Sequence, residues 1–120
     1  MSAAPLIEFT IPADHPCLPG HFPDRPIVPG VVVLDRVLAA IEAQHGALGA
    51  LRMPQVKFLQ PLLPEQAAWI ELLPLSDAAD APRRWRFRVL RDETPIAGSE
   101  VRMVCIASGE VHEVHEVHPA

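Results

Sequence analysis

The chain has 120 residues, 49% hydrophobic and 21% charged, with a formal net charge of −5. That is one globular domain with enough apolar residues for a real core, and its negative balance argues against nucleic acid as the partner. No apolar run approaches the roughly 20 residues of a membrane span, and Met1-Ser2-Ala3-Ala4-Pro5 has no basic-then-apolar signal character, so a cytoplasmic protein is expected.

Residues 6–11 have strand composition and end at Pro12. From Pro16 to Gly30 there are five prolines and two glycines in fifteen residues, which excludes both helix and ladder. The punctuation stops at Val31, and Leu34, Val37, Leu38 and Ile41 follow at helical spacing. The pattern predicts a buried helix from about 30 to 45, with Pro29 at its start and Gly46 closing it. Residues 51–60 read as a strand broken by Pro61 and Pro64, and residues 67–75 as the next. Residues 76–82 are loop. Residues 84–90 alternate, with Trp85, Phe87 and Val89 on one face and Arg84, Arg86 and Arg88 on the other. Asp92 and Glu93 are expected to turn the chain into a last strand over 96–106. One helix among sequential strands is an α+β pattern with an antiparallel sheet. The repeat that brings His112, His115 and His118 into the tail fits a loosely ordered terminus over 109–120 rather than a metal site. Cys17 and Cys105 stand alone and are expected to be reduced thiols.

Gly20-His21-Phe22-Pro23, Pro26-Ile27, Pro29-Gly30-Val31 and Asp35 fall in register with a known signature. Through them the chain resembles the hotdog-fold 3-hydroxyacyl-acyl-carrier-protein dehydratases of bacterial fatty acid synthesis, as a short divergent member. Val56 to Pro61, followed by Pro64, looks like the family's strand after the helix and its turn, with Glu65 and Gln66 where the family has glycine and aspartate. The resemblance covers roughly residues 6 to 107. It implies a single hotdog domain over 1–120, an antiparallel sheet wrapped around one central helix.

The activity implied is removal of water from a 3-hydroxyacyl thioester on acyl carrier protein, giving a trans-2-enoyl thioester for fatty acid or related acyl-chain synthesis. No cofactor or metal is implied. That chemistry needs a base for the C2 proton, an acid for the C3 hydroxyl, and donors for charge on the thioester oxygen. Histidine suits the base because it is neutral yet basic near pH 7, and the resemblance gives that role to His21. Asp35 is the implied acid. Val31 and Leu38 flank it on the helix, and withdrawal from water favours the protonated form an acid needs. Gly30 sits at the helix N-terminus, where free N–H groups favour negative charge, and is the candidate carbonyl-binding residue. Phe22, Pro29 and Val31 are expected against the substrate. The family builds its site across a homodimer, with the histidine from one subunit and the acid from the other.

Two departures bear on this. The housekeeping enzymes have glutamine four residues after the acid, where this chain has Ala39, and Arg36 follows the acid where a small residue is usual. Arg83, Arg84, Arg86, Arg88 and Arg91 form a basic cluster that reads as solvated strand residues or as a dock for the acidic carrier protein, with Arg83, Arg84 and Arg86 as the docking candidates. His15, in the proline-rich loop, reads as structural. A hotdog acyl thioesterase and a non-catalytic acyl- or carrier-binding subunit stay open as alternatives.

Overall fold

The computed structural model describes residues 6–15, 27–75, 83–93 and 102–114. Seven elements follow in chain order: β1 (Leu6–Phe9), α1 (Gly30–His45), β2 (Leu51–Arg52), β3 (Val56–Phe58), β4 (Ala68–Pro74), β5 (Arg84–Glu93) and β6 (Arg102–Glu113). The strands form one antiparallel sheet in the order β1-β4-β5-β6-β2, with β3 also paired to β6. The single helix lies against its inner face.

α1 starts where the prolines end. Pro29 is its N-cap, extended at φ −60° and ψ 144°, and cannot itself be the first helical residue. Its carbonyl accepts from the amides of Val32 (3.0 Å) and Val33 (3.4 Å). Gly46 ends the helix at φ 87°, a conformation that side chains with a Cβ avoid, and its amide returns to the Glu42 carbonyl at 2.9 Å. The valine-rich first turns have poor helix propensity. Packing holds them: Val33, Val37 and Ile41 are buried against Ile70 and Leu72 of β4, Trp85, Phe87 and Val89 of β5, and Val111 of β6.

The alternation expected over 84–90 is present, with Trp85, Phe87 and Val89 inward and the arginines exposed. Between Val89 and Leu90 the register slips. Val89 faces Ala107 and Leu90 faces Cys105, so Ile106 is the extra residue of a bulge. Its carbonyl accepts from Leu59 N (2.8 Å) and Gln60 N (3.3 Å), fixing the segment after β3.

Three expectations need correction. The strand over 51–60 is two short ones, because Pro54 brings no N–H to the ladder. Asp92 and Glu93 do not turn: they continue β5, opposite Met103 and Arg102. Of the tail expected over 109–120, residues 109–113 are the end of β6, because Val111 enters the core and Glu113 is engaged by Arg83, while residues 115–120 lie outside the described residues. The loop expected over 76–82 and the start of the last strand lie outside the described residues.

Arg83 closes the far end of the helix. Its Nε and Nη2 donate to both Glu113 carboxylate oxygens (2.6 and 2.8 Å), while Nη1 donates to the His45 carbonyl (2.9 Å) and Nη2 to that of Ala47 (3.2 Å). A cation at the last carbonyls of a helix is favourable for its dipole. The Arg83 hydrogen bonds hold the Glu113 carboxyl below its ordinary pKa. Arg83 also lies 5.5 Å from the Trp85 ring centroid.

Glu65 is the described non-glycine residue with positive φ (67°), at the turn position where the resemblance places glycine. Its Oε1 accepts from the Ala13 amide at 2.8 Å and its own amide donates to the Ile11 carbonyl at 2.7 Å, which offsets the backbone strain.

Candidate active site

A cavity of about 470 Å³ opens at the N-terminal end of α1. Pro29, Gly30 and Val33 form its helix side, the segment Phe58–Leu62 one wall, and Ile106 and Ala107 at the bulge another. Val28 is tied to the opposite wall through its amide, which donates to the Leu62 carbonyl at 2.8 Å. The lining is apolar apart from Gln60. By position, the amides of Gly30 and Val31 precede the first residue that can bond within the helix, so both are donors left for a ligand or water. An apolar chain beside such donors is what an acyl thioester offers: alkyl to the walls, carbonyl oxygen to the amides.

Gly30 leaves the space that its neighbour fills. A Cβ at position 30 would lie 2.7 to 3.0 Å from three carbons at the tip of the Phe58 ring. Phe58 is 53% exposed, so this ring is a rim residue with room to turn.

Asp35 is one helical turn beyond Val31 and is exposed, as are Arg36 and Ala39. The expected shelter from Val31 and Leu38 is absent in the single chain. Val31 is itself 62% exposed, because Val31, Asp35 and Ala39 share the face four residues apart that the sheet does not cover. Val31 also does not join the cavity's described lining, where Val33 does. His21 and Phe22 lie outside the described residues, as does Cys17, so the distance from His21 to Asp35 is not part of this geometry. Among the described residues no helix is long and apolar enough to cross a membrane.

The ApeI-like family, described as ApeI dehydratase, matches residues 2–100. The chain belongs to that family. Two curated relatives of the chain are 3-hydroxyacyl-acyl-carrier-protein dehydratases FabZ. The one from Roseiflexus sp. is 31% identical over 54% of this chain and 51% of its own length, and the one from Chloroflexus aggregans is 42% identical over 40% and 30%. The chain thus spans about half or less of the length of these two curated relatives. Among solved structures, the dehydratase heterocomplex ApeI:P from Xenorhabdus doucetiae superposes with a TM-score of 0.60 at 17% identity, over 93% of this chain and 88% of that one. A hexameric broad-specificity acyl-coenzyme A thioesterase gives 0.64 at 10% identity, over 97% and 83%. At those identities the likeness is one of fold, and the fold is the hotdog: one helix with an antiparallel six-stranded sheet.

Of the arginines expected to dock a carrier, Arg83 is taken up by Glu113 and the helix carbonyls. Arg84 is exposed, and Arg86 is exposed with a loose 3.8 Å contact to Glu110. Phe58 and Gln60 were not singled out from sequence. The signal available was two adjacent apolar residues, Phe58 and Leu59, and then Gln60, running out of a strand into Pro61.

Proposed function

We propose that this chain dehydrates 3-hydroxyacyl thioesters carried on acyl carrier protein, releasing trans-2-enoyl thioesters. The observation that carries the reading is the Gly20-to-Asp35 motif leading into a helix whose N-terminal amides border an apolar cavity. His21 takes the C2 proton, and the Gly30 amide receives the charge that develops on the thioester oxygen. Asp35 gives its proton to the C3 hydroxyl, the C–O bond breaks, and water leaves as the C2–C3 double bond forms.

The exposure of Val31, Asp35 and Ala39 on one helix face supports a second protomer covering that face and bringing its own His21. We take that protomer to be another copy of this chain, in the cytoplasm; the heterocomplex among its structural neighbours makes a different hotdog chain the alternative. Arg84 and Arg86 remain the candidates for meeting the acidic carrier. A thioesterase reading is favoured by the acyl-coenzyme A thioesterase among the fold neighbours, and a non-catalytic subunit by Ala39 and Arg36. Mass spectrometry of a 3-hydroxyacyl carrier after incubation separates the three. Loss of water is expected; release of free acid, or no change, would replace the reading.

A further inference from the structure

We propose that Gln60 is a substrate-positioning residue: Arg91 holds its Oε1, and its side-chain NH2 meets an amide carbonyl of the substrate's pantetheine arm at the cavity rim. The inference rests on the thioester reading of the cavity.

Arg91 differs from the other arginines of β5. Arg84, Arg86 and Arg88 are exposed on the outer face, and Arg88 is spent on Glu71 at 2.7 and 3.0 Å. Past the bulge, Arg91 stands opposite Ala68, which is fully buried, so it belongs to the inner side of the sheet. Its Nη2 donates to Gln60 Oε1 at 2.6 Å. No carboxylate lies within ion-pair distance of Arg91 among the described residues, its contact with the Asp92 carbonyl is long at 3.5 Å, and its buried Nε has no partner. A buried donor left unmatched is unusual and calls for a reason. The bond to Gln60 is what this arginine secures.

That bond fixes an orientation. A guanidinium only donates, so the glutamine atom facing it must be the oxygen. The NH2 is left as a free donor, and it donates to nothing among the described residues. The backbone is pinned as well, since Gln60 N donates to the bulge carbonyl of Ile106. Gln60 is the one polar side chain in the described lining and it is exposed, which puts it at the rim rather than in the depth. With an acyl chain inside and the thioester oxygen at Gly30, the part of the substrate at the rim is the pantetheine arm. Its amide carbonyls are acceptors. Carrier protein and coenzyme A both supply that arm.

The test is calorimetric binding of an S-alkyl pantetheine thioether, which cannot react, together with KM and kcat on carrier-linked and coenzyme A-linked 3-hydroxyacyl thioesters. Gln60→Ala and Gln60→Glu should both weaken thioether binding about 5- to 10-fold, the weight of one hydrogen bond. KM should rise by a similar factor with kcat near wild type for both substrates. Gln60→Glu is decisive because it keeps a partner for Arg91 while putting a carboxylate oxygen, which cannot donate to a carbonyl, where the NH2 was. Wild-type binding by that variant would make Gln60 a mere support for Arg91 and overturn the proposal. So would unchanged binding by Gln60→Ala, or no binding of the thioether by the wild type. If the wild type binds the thioether, loses affinity in both variants and yet forms no enoyl product, the dehydratase reading fails while Gln60 stands. Dehydration with unchanged KM in the variants has the opposite meaning.

Discussion

The ring of Phe58 occupies the space that a Cβ on residue 30 would need, its tip 2.7 Å from that position. The glycine therefore makes a seat for an edge-strand aromatic, and the proposed mechanism also uses its amide at the helix end. Gly30→Ala should leave the unfolding temperature nearly unchanged, because a half-exposed ring can swing away. The displaced rim and helix start should lower kcat/KM by about 10²-fold, the usual cost of a misplacement near 1 Å. Adding Phe58→Ala to that variant removes the clash and should recover part of the loss. Steady-state kinetics with a thermal melt checks both statements.

Acid should loosen the far end of the helix through Glu113. Its carboxyl is held below the ordinary glutamate value of 4.5 by hydrogen bonds from Arg83. A depressed folded value means stability that is present above 4.5 and is lost as the pH falls through the folded value. Glu113→Gln should melt earlier than the parent at neutral pH, and the gap should close as the pH is taken below 4.5. Melting curves across that range would show the two converging; a constant gap would mean that the pair contributes by packing alone.

Gly109 is the tight point of the sheet. It pairs with Val56 and Phe87, and a Cβ there would meet the Gln55 carbonyl and come within 3.0 Å of the Phe87 ring. Neither neighbour has room to retreat, since one is backbone and the other is fully buried. Gly109→Ala should cost about 1 to 3 kcal/mol, the usual range for overpacking, read as a lower urea midpoint with an unchanged slope.

Much of this was legible from local signals. The prolines up to Pro29, the apolar spacing after it and Gly46 gave the helix its limits, and the arginine alternation gave β5 its faces. The failures have a common physical origin in contacts made far along the chain. Asp92 and Glu93 look like turn residues, yet the ladder to Met103 and Arg102 keeps them extended. The His- and Glu-rich end looks like a frayed tail, yet Arg83, thirty residues earlier, fastens Glu113. Asp35 was expected to be sheltered by Val31 and Leu38, but helix neighbours do not cover a face that the sheet leaves open. Gln60 gains its meaning only from Arg91, thirty-one residues away.

The most direct measurement mixes two crippled proteins. His21→Ala and Asp35→Asn should each lower dehydration by about 10²-fold or more, the usual weight of general acid–base catalysis. If each site takes its histidine from one protomer and its acid from the other, unfolding and refolding an equal mixture makes hybrid dimers with one intact site. The mixture should then regain about a quarter of wild-type enoyl formation, from statistical pairing in a two-fold dimer. A mixture no more active than either variant alone would contradict the shared site built on His21 and Asp35.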